Sequence, residues 1–223
     1  LPHASYSFTI PEDSPEVNEL PCLQRTEVVL ASYISMHQLN VGVLSCWLQI
    51  MSASPNARLR LQIPELDDQD AKEKFVTFLD RNGFDLSRID LMGATSRKDY
   101  LASFAEVDIL LDTFPQTSGV VTAEALWMGV PTISLALPGM LGRQGQSLLT
   151  NAGLAGWVAH TEEEYVHEAI AWANADESYR QALAKFRQGL REKVRKSPLV
   201  NTEQFASEFV DALHGMWQAK YGE

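Results

Sequence analysis

Short apolar runs alternate with helically patterned stretches along almost the whole chain, and this alternation restricts the possible fold more than any other feature. Val28-Val29-Leu30-Ala31-Ser32-Tyr33 reads as a buried strand. Asn40 stands where a helix cap belongs, ahead of a helix to about Ser52 with Val43, Leu44, Trp47, Ile50 and Met51 on one stripe. Arg58–Ile63 alternates as a strand, and Asp68–Arg81 carries Phe75, Phe78 and Leu79 at helical spacing, with Gly83 just past its end. Ile89–Met92 is the next strand, and Ser96 caps a helix bearing Tyr100, Leu101 and Phe104. Val107-Asp108-Ile109-Leu110-Leu111 is almost wholly apolar, as strands covered on both faces are.

A loop, Asp112–Gly119, then feeds a helix that ends at Gly129. Pro131–Leu137 and Trp157-Val158-Ala159 read as strands, with a helix over Leu141–Asn151 between them. Thr161-Glu162-Glu163-Glu164 is a capping box opening a helix to about Asn174. Helices over about Ser178–Arg195 and Thr202–Tyr221 close the chain, separated by Ser197-Pro198. Strands alternating with helices predict a doubly wound α/β domain, with one parallel sheet of about five or six strands over residues 28–160. The last two helices are expected near its edge, and Phe205, Phe209, Leu213, Met216 and Trp217 predict a buried face on the final one. Residues 1–26, with Pro2, Pro11, Pro15 and Pro21, read as an extended connector, leaving 27–223 as the domain. The first residue is Leu1 rather than Met, which suggests a partial chain.

Composition removes several function classes. Acids outnumber bases 29 to 18. A net charge of -11 disfavours general binding to nucleic acid or anionic membrane, whose affinity comes from Lys and Arg. Apolar runs stop well short of the ~18–20 residues needed to span a bilayer. Cys22 and Cys46 form no CxxC pair, which argues against a disulfide framework and fits a reducing cytoplasm. The five His show no metal-ligand spacing, so no metal site is expected.

In a doubly wound fold the ligand lies outside the carboxyl ends of the strands, where strand order reverses. The most informative loop there runs from Asp112 through Thr117-Ser118-Gly119-Val120-Val121-Thr122 to Glu124. A helix start leaves N–H groups unpaired and partly positive, so a diphosphate can dock on backbone donors. Glu124, about one turn inside, is placed to accept from vicinal ribose hydroxyls. The residues alone also allow an ordinary strand-to-helix turn with a solvated Glu. Thr95-Ser96-Arg97-Lys98-Asp99-Tyr100 offers a ring that can stack on a base and a guanidinium that can meet a phosphate, or simply a capped helix. Ser35-Met36-His37-Gln38 follows the first strand, and a lone loop His37 reads as a surface residue. Neither a nucleophile elbow nor a Walker loop is present.

Taken together, these segments resemble the catalytic region of the O-linked N-acetylglucosamine transferase / SPINDLY-type glycosyltransferases. The phrases that carry the likeness are Asp112-Thr113-Phe114-Pro115, Glu124-Ala125-Leu126-Trp127-Met128-Gly129-Val130-Pro131, Arg143–Leu154, and Ser197-Pro198-Leu199-Val200-Asn201 before the Phe205–Trp217 helix. The resemblance implies the C-terminal, Rossmann-like half of a GT-B glycosyltransferase, joined through residues 1–26 to an N-terminal half. It implies an inverting, metal-independent transfer of N-acetylglucosamine from UDP-GlcNAc to Ser or Thr of protein, with no cofactor beyond the UDP-sugar substrate. Thr95 and Tyr100 would lie at the uracil, Ser118–Thr122 at the diphosphate and Glu124 at the ribose. The family's Asn-Gln-x-x-Lys loop corresponds to Ile34, Ser35 and Gln38, so its lysine is missing; its threonine pair is Val120-Val121. No catalytic residue is therefore assigned, and charge stabilisation of the leaving group is weakened. The alternatives are a non-catalytic relative that binds a partner or regulates another transferase and, less well supported, an epimerase, for which no carboxylate pair is found.

Overall fold

The computed structural model describes residues 1–4 and 6–222. Its strands are β1 (Val28–Tyr33), β2 (Ala57–Gln62), β3 (Ile89–Met92), β4 (Ile109–Leu111), β5 (Thr132–Leu135) and β6 (Val158–Ala159). The helices are α1 (Val41–Ala53), α2 (Gln69–Arg81), α3 (Arg97–Ser103), α4 (Gly119–Trp127), α5 (Gln144–Asn151), α6 (Glu162–Ala173), α7 (Glu177–Arg195) and α8 (Thr202–Tyr221). All strand pairs are parallel, in the order β3-β2-β1-β4-β5-β6. This is the doubly wound Rossmann-like order, whose direction reverses between β1 and β4.

Alternation along the strands sends successive side chains to opposite faces. Leu30, Leu59, Leu61, Ile109, Leu111, Ile133 and Leu135 pack with Trp47 and Ile50 of α1, Phe75 and Leu79 of α2, and Tyr165 and Ala169 of α6. Ala31, Tyr33 and Leu110 face the opposite way, onto Leu101 of α3, Ala123 and Leu126 of α4, Leu148 of α5 and Leu190 of α7. β4 and β5 are shorter than the apolar runs that foretold them: Val107 is buried outside the ladder, and buried Pro131 joins it only through its carbonyl, which accepts from Leu110 N (2.9 Å). The expected caps form: Asn40, Ser96 and Thr161 each accept a backbone N–H three residues on. Gly129 ends α4 at φ 80°, where a Cβ would lie 2.5 Å from Val17 Cγ1, so no side chain fits.

Residues 6–26 run across the molecule with one 3-10 turn at Pro21–Leu23, and bury Phe8, Leu20 and Cys22. Arg187 of α7 fastens this segment down. Fully buried, it donates to Asn18 Oδ1 (2.6 Å), Asn18 O (3.1 Å), Val107 O (2.8 Å) and Phe104 O (3.1 Å). Rather than lying only at the sheet edge, α7 packs on α4 and reaches Trp157, before β6, through Phe186.

The final helix forms, but nothing among the described residues covers its apolar face. No residue of α8 is buried, and Phe209, Leu213, Met216 and Trp217 are 47–62% exposed. Helical spacing gathers these side chains on one stripe, but it does not supply a surface opposite them. α8 runs past the end of the core.

Candidate functional site

A cavity of about 510 Å³ opens at the carboxyl ends of β1, β2 and β3, beside the reversal of strand order. Its wall brings together Ser35 and Gln38 from the loop after β1, Thr95, Arg97 and Tyr100 from the β3–α3 region, and Val121 and Glu124 from α4. Tyr33, Ile34, Gln62, Pro64 and Ala94 complete it.

Glu124 is the electrostatic centre of this wall. It is 4% exposed, and each carboxylate oxygen has one donor: Arg97 Nη2 donates to Oε1 at 2.5 Å and Tyr100 Oη to Oε2 at 2.7 Å. The Arg97 guanidinium also lies 5.3 Å over the Tyr100 ring. The hydrogen bond to Glu124 raises the Arg97 pKa. Burial, reinforced by the Glu124 charge, pushes the Tyr100 phenol far above its usual range, so it stays a donor. Tyr33 and Phe104 brace the ring, with centroids 5.6 and 5.3 Å away. Each carboxylate oxygen has two lone pairs, so Glu124 keeps acceptor capacity for a vicinal diol.

The loop after β4 is held by Asp112, whose Oδ1 accepts from Ser118 N (2.7 Å) and Thr113 N (2.9 Å) and whose Oδ2 accepts from Ser134 Oγ (2.7 Å). Burial dominates these bonds and pushes its pKa up to about 6. At the start of α4, the N–H groups of Gly119, Val120 and Val121 find no acceptor among the described residues. These donors, with the helix dipole, form an anion-attracting edge beside the cavity.

Not every residue singled out from the sequence reaches the cavity. Thr117 is buried and turned to α5, donating to Leu141 O (2.7 Å) and accepting from Gly145 N (3.2 Å). Thr122 is fully buried, its Oγ1 without a partner among the described residues. Val120 is exposed on the rim. Gln38 does line the cavity, but its amide is engaged: Oε1 accepts from Ser35 N (3.0 Å), while Nε2 donates to Ser118 Oγ (2.9 Å) and Thr113 Oγ1 (3.4 Å). It ties the loops after β1 and β4 together. His37 is exposed.

Two residues escaped the sequence reading. Gln62 ends β2 and donates to Thr95 Oγ1 at 2.8 Å. A polar residue closing an alternating strand was the available signal. Tyr6 comes from the proline-rich segment, and its hydroxyl lies 2.5 Å from where a Gly119 Cβ would be, so only glycine fits at the start of α4. Nothing local in the sequence links positions 6 and 119.

Among the described residues, no group of three or more His, Cys, Asp or Glu is placed to hold a metal ion. No helix there is long and apolar enough to cross a membrane.

A family model for glycosyl transferase family 41 matches residues 19–209. A Hordeum vulgare protein described as "Probable UDP-N-acetylglucosamine--peptide N-acetylglucosaminyltransferase SPINDLY" is 32% identical over 218 residues, which are 97% of this chain and 23% of that protein. Its Arabidopsis thaliana counterpart is 32% identical over 98% of this chain and 24% of its own length. Among solved structures, a Thermobaculum terrenum O-GlcNAc transferase mutant superposes with a TM-score of 0.80 at 30% identity, covering 95% of this chain and 39% of that one. The chain thus spans about a quarter of the length of these curated relatives.

Proposed function

The chain belongs to glycosyl transferase family 41, and from that membership we propose that it is the donor-binding, C-terminal half of a GT-B enzyme that glycosylates protein. The reaction is an inverting transfer of N-acetylglucosamine from UDP-GlcNAc to Ser or Thr, and it requires no metal. Residues 1–26 join this domain to an upstream half that contributes acceptor contacts. The setting is cytoplasmic, a reading supported by Cys22 and Cys46 as free thiols.

The observation that carries this reading is the Glu124–Arg97–Tyr100 cluster on the cavity wall. A buried carboxylate with spare lone pairs suits a ribose diol, the Tyr100 and Thr95 side suits the base, and the free N–H groups opening α4 suit the diphosphate. A departing UDP would meet those amides and Arg97. Titration of the chain with UDP by calorimetry tests the assignment. Glu124→Ala is expected to weaken UDP by roughly 1–3 kcal/mol, the range for a lost charged hydrogen bond. Unchanged UDP affinity in both Glu124→Ala and Tyr100→Ala would refute the site.

The second reading is a catalytically weak or inactive relative that binds a partner or regulates another transferase. One observation favours it: at the switch point the engaged Gln38 amide stands where the family carries a lysine, and Val120-Val121 offer no hydroxyls. Transfer assays with the upstream half restored separate the two.

A further inference from the structure

Gln62 is 6% exposed and occupies the last position of β2, in register with Tyr33 on one side and Met92 on the other. Its main chain is fixed by the ladder, with its carbonyl accepting from Ile34 N at 3.0 Å. One half of its carboxamide is equally fixed, since Nε2 donates to Thr95 Oγ1 at 2.8 Å. The other half is free. Oε1 accepts no hydrogen bond from the described residues, and it is not sealed from solvent, because the side chain forms part of the cavity wall beside Pro64, Ala94 and Thr95.

A side chain so deeply buried normally has its polar atoms paired within the protein. Here the paired nitrogen holds the group still, and the unpaired oxygen stays accessible on a side chain that lines the cavity. Thr95, having accepted from Gln62, keeps its hydroxyl proton to give away. The wall therefore presents a carbonyl acceptor next to a hydroxyl donor. Their complement is a ring N–H beside a C=O, the pattern that uracil presents on its imide edge and that cytosine lacks. Cytosine presents an unprotonated ring nitrogen at the same place, which would oppose the Gln62 oxygen.

We propose that Gln62, acting with the Thr95 hydroxyl, reads the imide edge of the donor nucleotide's base and makes the site select uracil over cytosine. This rests on the nucleotide-sugar reading of the cavity and adds a specificity residue to it. Rejection of the wrong base follows from a buried acceptor left facing another acceptor, a penalty larger than the loss of one bond.

The test is calorimetric titration of the chain with UDP, CDP and the diphosphate of 3-methyluridine, for the wild type, Gln62→Leu and Gln62→Glu. Wild type is expected to bind UDP at least tenfold more tightly than CDP or the 3-methyl analogue. Gln62→Leu should weaken UDP about five- to tenfold and change CDP less than twofold, so that discrimination collapses. Gln62→Glu keeps an acceptor towards the cavity but takes up the Thr95 hydroxyl proton, so it should keep the preference for UDP over CDP while binding UDP more weakly. The 3-methyl comparison needs no variant and stands even if Gln62→Leu folds poorly. Equal binding of UDP and its 3-methyl analogue by wild type, or an unchanged UDP:CDP ratio in Gln62→Leu, overturns the proposal. If those results come with UDP binding that still depends on Glu124, the nucleotide site survives and only the role of Gln62 falls. Absence of binding by every nucleotide refutes the site itself and the proposal with it.

Discussion

Replacing Asp112 with asparagine is expected to stabilise the chain at pH 8 and to change little at pH 4. Asp112 is 1% exposed, and its pKa rises from 3.8 to about 6 because burial outweighs three hydrogen bonds from Ser118 N, Ser134 Oγ and Thr113 N. The folded chain thus holds this proton more tightly than the unfolded chain. Its stabilising contribution is complete below about pH 3.8 and is lost as pH rises through about 6. Above that, the native state carries an ionised carboxylate out of water. A shift of roughly two units, at about 1.36 kcal/mol each, sets the penalty at about 3 kcal/mol. Asparagine keeps Oδ1 as acceptor for both N–H groups and turns an amide donor towards Ser134, whose hydroxyl can accept. Its bonds are neutral, as are those of the protonated carboxyl, and the shift already includes the bonds to the ionised form, so the expected gain between pH 4 and pH 8 is about 2–3 kcal/mol. The assay is urea unfolding of wild type and Asp112→Asn from pH 4 to pH 8. Subtracting the two curves cancels the other titrating groups. A difference that does not vary with pH, or a variant that loses ground as pH rises, would show that the start of α4 stabilises the carboxylate more than burial opposes it.

Further perturbations probe the rest of the architecture. Gln38→Lys should raise UDP affinity at fixed salt, because an ammonium replaces a neutral amide beside the α4 terminus; equal binding would mean that the diphosphate charge is met elsewhere. Arg187→Leu should destabilise by about 2–4 kcal/mol in denaturant unfolding, since it leaves Val107 O and Asn18 Oδ1 without their donor and takes one of two donors from Phe104 O and Asn18 O. Arg187→Lys should rescue little, because one ammonium cannot reproduce the planar fork. Ending the chain at Asn201 should cost less than about 1 kcal/mol, as α8 contributes no buried residue; a large loss of stability would contradict the exposed face.

The sequence alone determined the local structure. Spacing of two against spacing near 3.6 separated strands from helices, and Asn40, Ser96 and Thr161 marked helix starts through side-chain bonds that reach only three residues. The α/β class, the parallel sheet and the loop after β4 were all legible because each rests on short-range pattern. Strand ends at Val107 and Pro131 were not, since burial and ladder pairing coincide only partly there. Tertiary structure decided who meets whom. Gln62 reaches Thr95, Gln38 reaches Ser118 and Tyr6 reaches Gly119 only because crossovers bring distant loops to one end of the sheet. The same is true of Thr117 and Thr122, which share a loop and helix start with Glu124 yet turn inward. On α8 periodicity puts Phe209, Leu213 and Trp217 on one face, but only the packed neighbours of a helix decide whether that face is covered, and nothing among the described residues covers it. Hydrophobic pattern is a property of a segment, whereas burial and hydrogen-bond partnership belong to pairs of segments, and the chain's own register of strands and crossovers sets those pairs.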